Sequence, residues 1–375
     1  MSKNRIIAVV VLGLLVVGVQ AIALTAADLK IPAYYVQDQI TSPSLQGNVL
    51  GDPATRPLLV YLPASYAKEP QRRYPTIYLL HGFGANETCF VSGGVMDVSF
   101  KSFGVDLGAD VGSIVTELMA AGKMGEAIIV LPNGCNSYGG SFYACNSLIG
   151  DYRTYIAKDL VAYIDAKYRT IADPNHRAIG GHSMGGYGAL SLAIEYPDVY
   201  GAVAALSAFA DFQAQNVSDM FVAKYPQTPG VPLVGMKVED LWALDTITNM
   251  CYAMAAAFTP NLSKPPYFVD LPVKYPEKTV IPEIWQKWVD ADAIHQVKRD
   301  GAKLAKTAVL VVNGRGPTVF FPECPADTLV AALYEKGISF TYTATPGDHL
   351  SDLRMKLSTA LEFLYPHIAA PVGAK

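Results

Sequence analysis

Residues 178–190 read Ala-Ile-Gly-Gly-His-Ser-Met-Gly-Gly-Tyr-Gly-Ala-Leu, a short apolar run that enters Gly-x-Ser-x-Gly and leaves as an Ala/Leu-rich helical pattern. A serine held at a sharp strand-to-helix turn needs neighbours without side chains, because other backbone passes close on both sides. Gly181 and Gly185 meet that need. The helix that follows directs its first N–H groups at the same spot, where an oxyanion would need donors. Ser183 is therefore the candidate nucleophile and the Met184 N–H a candidate donor. Gly-x-Ser-x-Gly alone is also compatible with an ordinary turn; the strand before it and the helix after it give the motif its weight.

The rest of the chain is read outward from that turn. Arg56 to Pro63 is a strand that stops at a proline, preceded from Leu29 to Gly51 by irregular edge strands. Pro75 to Leu80 is a largely apolar run, the mark of a strand buried on both faces, and it ends on His81-Gly82-Phe83-Gly84. A glycine-flanked loop leaving a central strand can supply a second donor to an oxyanion, which makes the Phe83 N–H the partner of the Met184 N–H. Helix-like Ile114 to Gly122, strand Ala127 to Leu131, amphipathic Tyr152 to Tyr168 and strand Ala202 to Ser207 continue the rhythm. This alternation predicts an α/β domain with a mostly parallel sheet and helices on both faces.

From 212 to 306 the alternation stops, proline is frequent, and all three tryptophans occur: Trp242, Trp285 and Trp288. So long an interruption between strands is normally a cap or lid. Trp285 and Trp288 would share one helix face, and aromatic stripes of this kind usually pack one element onto another. Thr307 to Val312, Pro325 to Tyr334, Ser339 to Ala344 and Leu350 to Leu364 then resume as strand, helix, strand and helix. The expected organisation is one elaborated body from 24–211 and 307–375, with 212–306 inserted as the cap.

Lys3 and Arg5, the apolar run Ile6 to Val19 and the small-x-small triplet Ala21-Ile22-Ala23 read as an export signal, with the mature chain starting at Leu24. The competing reading is an uncleaved membrane anchor, since the run approaches the roughly 17 to 20 residues that span a bilayer. Either way the expected address is secreted, periplasmic or cell-surface. Five cysteines suit an oxidising compartment, and Cys135 and Cys145 flank a Gly/Ser/Tyr-rich loop that a disulfide could close; five buried thiols are the alternative. A net charge of -4 with no block of like charges argues against a nucleic-acid partner.

A serine hydroxyl is a poor nucleophile until a base takes its proton. Of six histidines, His81 belongs to the donor loop, His182 adjoins the nucleophile, His176 precedes its strand, His295 lies in the cap and His367 near the C-terminus. His349 alone follows the carboxyl end of a strand without one of these objections, at the edge where sites of open α/β sheets collect. It is the candidate general base.

Serine first and histidine late is the order of the α/β hydrolases. The chain resembles their esterase D type, the family of S-formylglutathione hydrolase, feruloyl esterases and mycolyltransferases. The resemblance rests on Val60-Tyr61-Leu62-Pro63, Arg73-Tyr74-Pro75, Leu80-His81-Gly82, Gly140-Ser141-Phe142-Tyr143, Tyr168-Arg169-Thr170-Ile171, Gly181-His182-Ser183-Met184-Gly185-Gly186 and Gly347-Asp348-His349. It implies an α/β-hydrolase fold, the same roles for Ser183 and His349, a small-molecule or polymer-linked ester or thioester substrate, and no metal or organic cofactor.

One departure stands out. Many members carry an acid a few residues after the glycine that ends the penultimate strand, whereas here Asn313-Gly314-Arg315-Gly316-Pro317-Thr318 follows and Pro317 occupies that place. The acid orients the imidazole, and spoiling it costs roughly 10⁴ in rate in a serine protease. Glu323 and Asp327 on the same connection and Asp211 after the preceding strand are left as candidates, while Asp348 is badly placed to reach its neighbour's ring. The expected activity is ester hydrolysis through an acyl-enzyme, with an aryl or cinnamoyl group suggested by the aromatic cap. Acyl transfer to a sugar or lipid alcohol, and a catalytically impaired binding protein that kept the fold, are the alternatives.

Overall fold

The computed structural model describes residues 30–102, 105–214, 246–274, 277–318 and 323–370. The expected export segment, Trp242 and residues 215–245 of the expected cap lie outside the described residues. Eight strands form one sheet: β1 (Tyr35–Thr41), β2 (Thr55–Tyr61), β3 (Thr76–Leu80), β4 (Ile128–Pro132), β5 (Arg177–His182), β6 (Ala202–Leu206), β7 (Ala308–Gly314) and β8 (Phe340–Thr345). Their order is β1-β2-β4-β3-β5-β6-β7-β8. Strand β2 runs antiparallel to both neighbours and every other pairing is parallel.

The four central strands are buried at every residue, as expected of strands covered on both faces. Side-chain alternation then divides the core in two. Tyr78, Val130, Ile179 and Val203 face one layer, while Ile77, Ile129, Ala178 and Ala204 face the other. The first layer is completed by the helical stretch 152–167, which contains a π turn at Tyr155–Asp159, and by the helix Met184–Glu195. Helices Val111–Ala120 and Leu353–Ile368 complete the second. The α/β-hydrolase fold expected from the alternation is the fold observed.

Several local readings change. The stretch Leu29 to Gly51 holds one seven-residue edge strand, β1, and a short turn at Pro43–Leu45 rather than irregular strands. A helix at Val95–Ser102 has no counterpart in the sequence reading. Within 212–306 the described elements are helices Thr246–Phe258, Pro282–Ala291 and Ala293–Asp300 and a two-residue hairpin pairing Val273–Lys274 with Thr279–Val280. Among the described residues no helix is long and apolar enough to cross a membrane.

The bridge expected between Cys135 and Cys145 does not form, and no cysteine is in a disulfide. The loop between them needs no covalent closure, because Tyr138, Phe142 and Tyr143 anchor it in the core and the Tyr143 hydroxyl donates to the His81 carbonyl at 3.0 Å. Cys135 instead donates to the Asn136 carbonyl, and Cys145 lies exposed on a short ribbon opposite Asp151.

Backbone passes very close under the Gly-x-Ser-x-Gly turn. A Cβ built on Gly185 would sit 2.0 Å from the Leu80 carbonyl oxygen, and one on Gly181 would sit 2.4 Å from the Gly185 carbonyl oxygen. Both obstacles are main chain and cannot rotate away. Gly185→Ala is therefore expected to lower stability by more than about 3 kcal/mol, whereas Gly122→Ala, at positive φ but facing open space, costs about 1 kcal/mol. Urea denaturation of the two variants checks this; equal midpoints would contradict it.

Candidate active site

Strand β5 delivers Ser183 at its carboxyl end with φ 60° and ψ -120°, and the helix Met184–Glu195 begins at the next residue. A non-glycine residue is rarely held at such a φ, and here neighbouring elements fix it. The Ser183 N–H donates to the Leu206 carbonyl of β6 at 2.9 Å, and the Ser183 carbonyl accepts from Tyr187 N–H at 3.0 Å. A Cβ on Gly82 would lie 3.3 Å from the Ser183 Cβ, so the loop after β3 runs directly against the serine.

That loop is set by His81. The Gly134 N–H can only donate, so its 2.8 Å bond to His81 Nε2 places the ring hydrogen on Nδ1, which donates to the Gly82 carbonyl at 2.8 Å. Burial pushes the His81 imidazole down to about 4, which keeps it neutral and this tautomer in force. In a trans peptide C=O and N–H point opposite ways, so tying the Gly82 carbonyl to His81 turns the Phe83 N–H away from that ring. Among the described residues neither the Phe83 nor the Met184 N–H has an acceptor. Gly140 lies against both residues, since a Cβ there would meet Met184 Sδ at 2.6 Å and Phe83 Cδ2 at 3.0 Å. The sequence reading assigned no role to His81 beyond its loop, and none to Gly140.

His349 follows β8 and is buried. Its main-chain carbonyl accepts from His182 Nε2 at 2.8 Å, and the two rings lie 4.7 Å apart. His182 immediately precedes Ser183, so the late histidine is fastened to the turn that carries the serine. Burial, with His349 and Lys356 nearby, holds the His182 imidazole far below its ordinary value, so it is neutral.

The three carboxylates left open by the sequence now separate. Glu323 Oε1 lies 3.3 Å from His349 Nδ1. Its Oε2 accepts from Gly314 N–H at 2.9 Å and from the Ser207 hydroxyl at 2.9 Å. Burial alone would raise this carboxyl, but His349, Lys356 and Ser207 outweigh it and carry it down to about 2. Asp327 is exposed and paired with Arg315. Asp211 accepts from Thr328 Oγ1 at 2.8 Å and Gln213 N–H at 2.9 Å. Asp348 accepts the N–H groups of Leu350 and Ser351 and so caps its own turn. Pro317 is exposed, and the carboxylate that reaches the imidazole comes from further along the connection.

With Nδ1–H donating to Glu323, the lone pair of the His349 ring is on Nε2, the form a general base requires. The other histidines are engaged elsewhere: His176 with the Ile368 carbonyl, His295 with Asp292, and His367 with the Phe363 carbonyl. Trp285 and Trp288 do share a face, their rings stacked 6.1 Å apart, and Trp288 is fully buried with its Nε1–H donating to Thr259. Among the described residues no group of three or more His, Cys, Asp or Glu side chains could hold a metal ion.

A mostly parallel eight-stranded sheet with a serine at a strained turn after its fifth strand defines an α/β hydrolase. Residues 53–349 match the model of the Esterase family, and the chain belongs to that family. An endo-1,4-beta-xylanase/feruloyl esterase of Xylanibacter ruminicola is 30% identical over 174 residues, covering 44% of this chain and 21% of that protein. An esterase of Mycobacterium tuberculosis is 34% identical over 139 residues, covering 36% and 25% respectively. The chain thus spans about a fifth to a quarter of the length of these relatives. A ferulic acid esterase structure superimposes with a TM-score of 0.58 at 20% identity, over 91% of this chain and 100% of that one. An S-formylglutathione hydrolase from Agrobacterium tumefaciens gives 0.53 at 16%, over 90% and 98%. The family resemblance read from the sequence is borne out.

Because the Glu323 carboxyl is lower in the folded chain than its ordinary 4.5, the stability it contributes is present above that value and lost as pH falls toward about 2. Acid titration of the wild type is expected to show stability lost between about pH 4.5 and 2 that Glu323→Gln does not lose. Identical acid-unfolding curves for the two proteins would contradict it.

Proposed function

We propose that this chain is a serine carboxylic-ester hydrolase working through an acyl-enzyme, with Ser183 as nucleophile, His349 as general base and Glu323 as the acid that orients it. The reading is carried by the 3.3 Å contact between His349 Nδ1 and Glu323 Oε1, on a histidine whose main chain is bonded to the residue that precedes a serine held at φ 60°. Ser183 Oγ attacks the ester carbonyl while His349 Nε2 takes its proton; the imidazolium formed lies against the Glu323 carboxylate. The Phe83 and Met184 N–H groups hold the oxyanion. The proton then passes to the leaving alcohol, and water repeats the sequence on the acyl-enzyme.

The substrate proposed is a small-molecule or polymer-linked ester, with aryl and cinnamoyl acyl groups as the first class to test. Support for that class is the likeness to proteins named feruloyl esterase and ferulic acid esterase; the rings of Phe142, Tyr187 and Phe212 beside the serine helix are buried in the core and add nothing to it. Trp288 lends it nothing, being wholly committed to packing.

Ser183→Ala is expected to abolish turnover of p-nitrophenyl acetate and labelling by a fluorophosphonate while leaving the melting temperature within a few degrees of wild type. Full retained turnover would remove the proposal, and a wild type that neither turns over nor labels would favour an impaired binding protein. Glu323→Gln is expected to lower kcat by about 10² to 10⁴, with Asp327→Asn and Asp211→Asn near wild type. Steady-state rates decide; a wild-type rate for Glu323→Gln would leave the base without its acid. Feruloyl esters are expected to exceed short- and long-chain alkyl esters in kcat/KM, and equal rates on all three would dismiss the aryl class.

A further inference from the structure

Lys356 is fully buried on the closing helix Leu353–Ile368, at a position its apolar neighbours Leu353, Leu357 and Ala360 assign to the core. An ammonium is rarely placed there without partners. Its partners are all acceptors: the Asp348 carbonyl, the His349 carbonyl at 3.1 Å, Glu323 Oε2 at 3.3 Å, and Asp352 Oδ1 in contact at 2.9 Å without hydrogen-bond alignment. The Asp352 carboxylate in turn accepts the Gly347 N–H at 2.9 Å. One cation thus touches the carboxylate that faces the candidate base, the main chain of that base, and the turn that carries it.

We infer that Lys356 is a positioning residue for the ester-hydrolysing site: it balances the charge of Glu323 and, with His182, pins the His349 main chain so that the imidazole stays directed at Ser183. This rests on the roles proposed above for Ser183, His349 and Glu323. The electrostatic logic is a competition for one carboxylate. A carboxylate beside an imidazole favours the protonated ring, which cannot act as a base. Sharing its charge with a buried ammonium weakens that preference in the resting enzyme. The anion remains in place to receive the imidazolium once Ser183 gives up its proton.

Other titratable groups face the cluster: His182 from β5, Asp211 from the loop after β6, Cys324 beside Glu323, and Asp348 and Asp352 from the turn before the closing helix. Burial holds His182 neutral and pushes the Cys324 thiol well up, so neither changes charge near neutral pH.

The test is the pH dependence of kcat/KM for p-nitrophenyl acetate in Lys356→Met. On the acid limb the rate is expected to fall about tenfold, the limb being displaced upward by about one pH unit, so that the deficit shrinks as pH rises toward the plateau. Lys356→Arg keeps the charge and is expected to leave the limb in place. Lys356→Met strands two buried carboxylates, so Lys356→Met/Asp352→Asn, which removes one of them, carries the same test if the single variant does not fold. A loss uniform across pH, or no loss, would overturn the inference and leave Lys356 a structural residue only. Wild-type rates in Ser183→Ala or Glu323→Gln would instead overturn the underlying site, so the two failures are distinguishable.

Discussion

The site depends on where one buried carboxylate goes. Glu323 gathers Gly314 from the end of β7, Ser207 from the end of β6, His349 from beyond β8 and Lys356 from the closing helix. A charge largely withdrawn from water is tolerated only when its oxygens are met by donors, and each donor here sits at the carboxyl edge of the sheet or on the helix behind it. Gly314 makes the approach possible, since a Cβ at that position would lie 2.6 Å from Glu323 Oε2. Convergence on this anion fixes the imidazole, and the His182 bond to the His349 carbonyl fixes the imidazole's strand end to the serine turn.

The loop that carries the proposed oxyanion donor Phe83 N–H is held by a neutral group. His81 is buried and uncharged, and its ring spans the Gly134 N–H and the Gly82 carbonyl, so the peptide carrying the Phe83 N–H has one orientation. Donors fixed before substrate arrives need no reorganisation when charge develops, which is where such groups do most for a rate. The two halves meet at Ser183, whose left-handed backbone survives because Gly181 and Gly185 let Leu80 and its neighbours pass within van der Waals limits.

Much of this was legible in the chain. The strand, Gly-x-Ser-x-Gly and helix announce their own geometry, because a motif confined to adjacent residues carries its context with it. The central strands were readable as apolar runs for the same local reason. Glu323 was not, since nothing local distinguishes a carboxylate that folds back across a connection from one that stays in solvent, and Asp327 stood equally well in sequence. A clue existed in Lys356: a lysine at a core position of an apolar helix stripe marks a buried anion. The Cys135–Cys145 bridge failed for the opposite reason, proximity along the chain having been taken for proximity in space when buried tyrosines already close that loop. The one-strand edge at β1 and the helix at Val95–Ser102 escaped because their patterns are too short and polar to declare a period.

The central claim is that Ser183, His349 and Glu323 act as one proton-transfer unit opposite two backbone donors. Its most direct test is the crystal structure of the protein inactivated by a phosphonate ester. Phosphorus is expected bonded to Ser183 Oγ, with the phosphoryl oxygen within hydrogen-bond distance of the Phe83 and Met184 N–H groups and the His349 ring lying between Ser183 and Glu323. An adduct on any other residue, or a phosphoryl oxygen turned away from both N–H groups, would contradict it.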